Sequence, residues 1–288
     1  MHYFIHRLFL VGLFLCSSPS HAQHTETITV ERDILALAEQ LTKGQPIEAI
    51  KDFSAPNMQR DVVDFVMIQK ALKLGGMDIK FDFRPGYYNA RNIKTLASGH
   101  LLISFDSVWL SEAQKMKDDV YISNAVIKKG DFWAGVFTSP NNKKALSVKT
   151  LEDFRQLSIV SSHAWAADWA TLQAINPRKL SNEGNWLSMA KLVSIGWIDA
   201  MLVTFNATEP FQYQSKEYHL VAVDGVKIKL DDSRHYCVSK KHPLGAQTFK
   251  ALEKGLAILQ SQNAITNAYH QVGFYNAKVT NWTILNPD

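Results

Sequence analysis

The chain is poor in cysteine. Its only cysteines are Cys16 and Cys237, so neither a disulfide framework nor a thiolate metal site organises the fold. Long apolar runs are as scarce. LFLVGLFLC near the start is too short for a membrane span, and nothing later reaches the roughly 20 apolar residues that a span needs. Neither sign of charge dominates: 31 Lys and Arg stand against 27 Asp and Glu, a net charge of +4. No basic run interleaves with aromatics, which argues against nucleic acid, and KIKLDD and KKHP read as solvated surface. HExxH, clustered carboxylates, a GxSxG elbow and a glycine-rich phosphate loop are all missing from the sequence. A metal centre, a serine hydrolase and a nucleotide cofactor are therefore not indicated, and no cofactor is expected. Internal repeats and low-complexity segments are also absent.

What is present begins with an early cation cluster, the short apolar run, and then SSPSHAQ, with small residues Ser20 and Ala22 at the positions a signal peptidase reads. Residues 1–22 are expected to be a secretory signal cut after Ala22, leaving an exported, periplasmic chain. Leu15 precedes Cys16, where lipoprotein signals carry Gly or Ala, so Cys16 is expected to leave with the signal. Cys237 then stands alone and stability rests on the core. The remainder is long enough for one large α/β domain or two lobes of about 100–150 residues each.

Hydrophobic periodicity organises that remainder. ERDILALAEQLTKG reads as an amphipathic helix behind a polar leader, IEAIKDF as a first short strand, SAPN as a turn, and RDVVDFVMIQKALKLGG as a helix closed by Gly75 and Gly76. DIKFDFRP alternates like a strand, NARNIKTLASG is a helix with a glycine stop, and HLLISF is a buried strand. DVYISNAVI and FWAGVFT are extended. In the second half LSIVSS, IDAMLVTF and YHLVAVD read as strands, with AADWATLQAI and NWLSMAKLVSIG as helices between them. HYCVSKKHP is extended again, and a long helical region with a break near Ser261 ends the chain. Strands alternating with helices imply βαβ units and two α/β lobes joined by extended crossings.

Ser147–Trp169, SVKTLEDFRQLSIVSSHAWAADW, carries the clearest functional signal. A buried strand runs into a small polar turn that opens a helix, where free N–H groups and the helix dipole favour a polar or anionic ligand at Ser161, Ser162 and His163.

The order of IKTLASG, DVYISNAVI, VKTLEDFRQLSIVSS, LVSIGWIDAMLV and YCVSKKHP with its long helix resembles the type II periplasmic solute-binding proteins, and within them the family 3 proteins of polar amino-acid ABC importers. The resemblance implies an α/β fold of two lobes. Each lobe holds a mixed, mainly parallel sheet flanked by helices, and a hinge joins the two. Residues 23–135 and 233–288 would form a discontinuous first lobe and 136–232 the second, with ligand held in the cleft by strand-end loops. Carried over position by position, the pocket comprises Ser54 and Asn57 after the first strand; Arg84 with Tyr88 after the next; Asp106, Ser107 and Trp109; Ser161, Ser162, His163 and Trp165; and Thr204 with Phe205. A membrane permease is the implied partner, or a sensor kinase or cyclic-dinucleotide enzyme with a periplasmic domain.

The sequence departs from that family where an amino acid would be clamped. SEAQKMKDD has only Lys115 and Lys117 where an arginine fork would grip the ligand carboxylate, and Thr204 stands where an aspartate would hold the ammonium. Arg84 and Asp106 either rebuild the clamp or cap local turns. Trp109, Trp165 and Trp169 either stack on an aromatic or quaternary-amine ligand or belong to the core. The leading expectation is a non-enzymatic receptor for a small polar or aromatic organic solute. The alternatives are a dehydratase or lyase using cleft acids such as Asp106, Glu112 or Glu209 with His163, and a degenerate interaction module.

Overall fold

The computed structural model describes residues 25–86 and 90–286, so the expected signal segment and Tyr88 lie outside it. The chain starts with a strand, β1 (Thr25–Glu31), in the stretch read as a polar leader. Its alternation TETITVE buries Glu26, Ile28 and Val30 on one side. IEAIKDF, expected to be the first strand, contains only a 3-10 turn at Ile47–Ala49. Its apolar residues recur every third position, at Ile47, Ile50 and Phe53, which suits a tight turn rather than a pleated strand.

The helix α1 (Arg32–Thr42) leads to α2 (Arg60–Leu74), and β2 (Lys80–Gly86) then lies parallel to β1 with Glu31 opposite Gly86. After α3 (Ala90–Ser98), HLLISF is buried but irregular, touching the sheet through an Ile103–Val238 bridge. Then come β3 (Val108–Trp109), α4 (Leu110–Lys115) and β4 (Val120–Ile122).

The chain crosses into a second unit at β5 (Trp133–Thr138). There it forms α5 (Lys143–Leu146), α6 (Leu151–Arg155), β6 (Ser158–Ser161), α7 (Ala166–Ile175), β7 (Lys179–Asn182), α8 (Trp186–Ser194), β8 (Ala200–Thr204), β9 (Gln212–Gln214) and β10 (His219–Lys229). It returns through β11 (Arg234–His235) and β12 (Cys237–Ser239) to α9 (Gly245–Ser261) and α10 (Ala264–Gln271), and ends at β13 (Thr283–Ile284). The second unit's sheet runs β13-β10-β5-β8-β6-β7, with β9 on β10. β6 is parallel to β7 and β8, while β5 is antiparallel to β8 and β10. The two crossing strands pair side by side, Trp133 opposite Lys229. β13, which the sequence reading grouped with the first lobe, joins the second unit's sheet. Among the described residues no helix is long and apolar enough to cross a membrane.

The first unit is held by α2 against α9. α2 is apolar on nearly every side, burying Val62, Val63, Phe65, Val66, Met67 and Ile68. Its backbone meets that of α9 directly: a Cβ on Gly255 would lie 1.8 Å from the Ala71 carbonyl oxygen, and one on Gly75 1.9 Å from that of Ala251. Gly→Ala ordinarily favours a helix by about 1 kcal/mol. Gly255→Ala is expected to reverse that sign and destabilise by about 2 kcal/mol through overpacking, read as a lower urea midpoint at unchanged slope.

Candidate functional site

The first-lobe wall of the site grows from the opening turn of α2. Because that helix is surrounded by core, the charges of its RDVVD start are turned into the protein and must be matched there. Arg60 donates from Nη1 to Asp64 (2.5 Å), Asp106 (3.0 Å) and the Ser107 hydroxyl (3.0 Å), and from Nη2 to Asp61. Arg234, arriving on β11, donates from Nε to the Ser107 hydroxyl (3.0 Å) and from Nη2 to Asp106 and to the Ser107 carbonyl. Its guanidinium also lies 4.6 Å from the centre of the Trp109 ring.

Asp64 is the hub. Its carboxylate is fully buried and accepts from Arg60, from the Ser107 hydroxyl (2.7 Å) and N–H (3.3 Å), and from the hydroxyls of Tyr236 (3.4 Å) and Tyr269 (2.5 Å). Asp61 and Asp106 keep an open edge, with side chains 33% and 27% exposed.

Burial raises Asp61 to about 6 against the pull of Arg60. Burial also pushes Asp106 up, but Arg60 and Arg234 outweigh it and hold its carboxyl below the ordinary range. Glu31, at the carboxyl end of β1, is open to solvent on one side. The protein around it nevertheless raises it to about 7, with Asp61, Asp33 and Asp106 adding repulsion.

Two second-lobe groups lie near enough to this network to feel its charges. β6 ends at Ser161 and Ser162, both buried, and the turn leads into α7, whose first turn carries Asp168. Burial raises Asp168 to about 6, opposed by Arg234 and Arg60 of the first lobe. Tyr213, pushed up to about 12 by burial, feels Asp61 in the same way. The helix N-terminus expected to favour a polar or anionic ligand carries a carboxylate of its own, Asp168. Two hollows of about 230 and 390 Å³ lie elsewhere, beside Ile47–Glu48 and Phe81 and beside Ser139–Asn142 and Ile195, and neither touches these residues.

Of the sequence-predicted pocket, Asp106 and Ser107 enter the network and Trp109 backs it as a buried platform. Ser54 and Asn57 do not: both are exposed turn residues, Ser54 donating to Asp52 (2.6 Å) and Asn57 left-handed at φ 63. Both follow IEAIKDF, which forms a 3-10 turn rather than a strand. Arg84 is 66% exposed and paired with Asp82 at 2.8 Å, so it rebuilds no clamp with Asp106. In the second lobe, Ser162 accepts from the Ala164 N–H, and the His163 N–H donates to Asn182 while its ring meets Trp169 edge-on at 4.0 Å. Trp165 packs on the Phe137–Met189 core, Thr204 lies 3.3 Å from the Tyr213 hydroxyl, and Phe205 is a core ring against Phe137, Phe211 and Trp282.

Sequence reasoning missed Arg60, Asp61, Asp64, Asp168, Tyr213, Arg234, Tyr236 and Tyr269. The available signal was the charge pair and second aspartate at helical spacing in an otherwise apolar segment. The sequence has no carboxylate cluster because Asp106 joins Asp61 and Asp64 only in space. Among the described residues no group of His, Cys, Asp and Glu is arranged to hold a metal ion.

Two outcomes are expected. Asp64→Asn leaves a buried guanidinium undercompensated and should cost about 3 kcal/mol in urea unfolding. Asp61, Asp168 and Glu31 have raised values in the folded chain, so their contribution to stability is fully present below their ordinary range near 4 and lost as pH rises through about 6–7. The unliganded protein should therefore melt a few °C higher at pH 5 than at pH 7.5, a gain on the order of 1–2 kcal/mol.

No protein-family model matches the chain, and no curated protein matches it in sequence. Solved structures do match in shape. A probable amino-acid ABC transporter extracellular-binding protein from Bacillus subtilis aligns over 87% of this chain and 98% of its own, with TM-score 0.56 and 14% identity. An amino acid ABC transporter substrate-binding protein from Streptococcus pneumoniae, bound to L-arginine, aligns over 86% and 92%, with TM-score 0.56 and 12% identity. An ancestral amino acid-binding protein, a precursor of cyclohexadienyl dehydratase, aligns over 86% and 95%, with TM-score 0.53 and 15% identity. At these identities it is the fold that is shared: this chain is built as the extracellular solute-binding proteins of amino-acid ABC transporters are, in the two-lobe type II architecture.

Proposed function

We propose that this chain is a periplasmic solute receptor. It takes a small, positively charged organic molecule, an amine or guanidine, between the Asp61–Asp106 edge of one lobe and the Asp168–Tyr213 face of the other. The closed form is then presented to a membrane permease or to a sensor with a periplasmic domain. The reading rests on the occupancy of the two cleft guanidiniums. Arg60 and Arg234 are already bonded to Asp61, Asp64 and Asp106, two positive charges against three negative, and Glu31 and Asp168 add more. A ligand carboxylate would compete with these aspartates for both guanidiniums, while a cation meets their open edges. The pneumococcal neighbour bound to L-arginine is a protein of this fold with a cationic ligand.

An acid–base enzyme is the second reading. Asp61 and Asp168 near 6 and Glu31 near 7 have the values that general acids need at neutral pH, and one neighbour is a precursor of a dehydratase. It uses these carboxyls rather than His163.

A thermal-shift screen of the chain from Gln23 onward tests both readings, against amines, guanidines, polyamines, quaternary amines, amino acids, organic acids and sugars, with each compound recovered by mass spectrometry. A cation at a hundredfold over its Kd should add about 2.7 kcal/mol and be recovered intact. Its affinity should fall about tenfold or more between pH 7.5 and pH 5, as Asp61 and Asp168 take up protons. Stabilisation by organic acids instead would overturn the charge assignment, and recovery of an altered compound would establish the enzyme.

A further inference from the structure

The last residues of the chain do not stay with the helices that precede them. α10 packs on α2 and α9 in the first lobe, and its Tyr269 is bonded to Asp64. Gly273 follows at φ 74, so close to the second lobe that a Cβ there would lie 2.3 Å from the Asn206 carbonyl carbon. Asn276 donates to the Asn206 carbonyl at 3.1 Å. Trp282 then sets its ring against Phe205 (5.3 Å) and Phe211 (5.6 Å). β13 adds itself in parallel to β10, the Leu285 N–H donates to the Lys227 carbonyl (2.9 Å), and the Asn286 amide bonds the Lys229 N–H and carbonyl at 2.9 Å each.

Lys227 shows how firmly this segment is held. Its side chain is 1% exposed, and its ammonium donates to the carbonyls of Val279 (2.6 Å) and Thr280 (3.0 Å), 3.5 Å above the Trp133 ring. A buried ammonium needs such partners, and two of the three come from the C-terminal segment. Trp133 and Lys229 are the paired roots of the two crossing strands. The third connection is therefore fastened at the point where any rotation of one lobe against the other must be taken up.

We propose that Phe274–Asn286 is a strap that sets the resting angle of the lobes. Two extended strands alone form a soft hinge, because each can twist about its own axis. A third chain tied to α10 at one end and hydrogen-bonded along β10 at the other permits only rotations that leave both attachments in place. The cost of opening or closing then includes stretching the short link between Gln271 and Ala277, or freeing Trp282 from its aromatic seat. The proposal concerns the angle between lobes and holds whatever the ligand is.

The test places spin labels at Glu39→Cys in α1 and Gln173→Cys in α7, both exposed positions, and reads the interlobe distance distribution by pulsed electron resonance without added ligand. Every chain compared starts at Gln23, which leaves out Cys16, and Cys237 is fully buried, so neither competes for label. Three chains are compared: full length, a chain ending at Asn276, and full-length Lys227→Met with Trp282→Ser. Both altered chains are expected to shift the mean distance by several Å and to broaden the distribution. An unchanged distribution in either altered chain with native circular dichroism would overturn the proposal and leave the segment a stabilising element only. If the truncated chain fails to fold, the full-length double variant decides alone.

Discussion

A carboxylate with no access to water needs donors around it, and Asp64 collects them from four separate parts of the chain. Arg60 lies one helical turn earlier in α2, Ser107 in the loop before β3, Tyr236 between β11 and β12 on the return crossing, and Tyr269 in α10. Each of these segments is far from the others in sequence. Each must be in place for the charge to be tolerated, because a missing partner leaves an uncompensated ion in a low-dielectric interior. The arrangement therefore fixes how the first lobe's layers meet at the cleft. The Gly75–Ala251 and Ala71–Gly255 contacts of α2 with α9 set the depth at which α2 presents its charged turn.

The same network sets the local balance of charge. The chain as a whole is basic, with a net charge of +4 and a pI near 8.9. Around Asp64 the local balance is the reverse, because the two inward guanidiniums are matched by three carboxylates, Asp61, Asp64 and Asp106. Asp168 contributes from the other lobe, from the first turn of a helix where a negative side chain is favoured by the dipole. A global charge balance says little about a site in which a few buried groups are counted against one another.

Much of the architecture was legible in the residues. AADWATLQAI is α7 to the residue, LSIVSS and IDAMLVTF hold β6 and β8, and the break after Ser261 separates α9 from α10. These segments have a single period and clear stops. The first strand was not legible, because the buried face of TETITVE includes Glu26 and so lacks an unbroken apolar pattern, while IEAIKDF offers more apolar residues at the wrong spacing. With IEAIKDF forming a 3-10 turn, Ser54 and Asn57 follow a turn rather than a strand end. Arg84 and Phe205 are implied by the family resemblance, which names positions near strand ends but not the side to which each residue turns.

The sequence by itself determined the alternation of strands and helices, because that depends on local period and residue type. Tertiary structure alone decided that Arg60 and Arg234 meet three aspartates and that the C-terminal residues return to the second sheet. Those facts depend on which distant side chains share a buried space. The pairing of a buried charge is a property of that space and has no period along the chain.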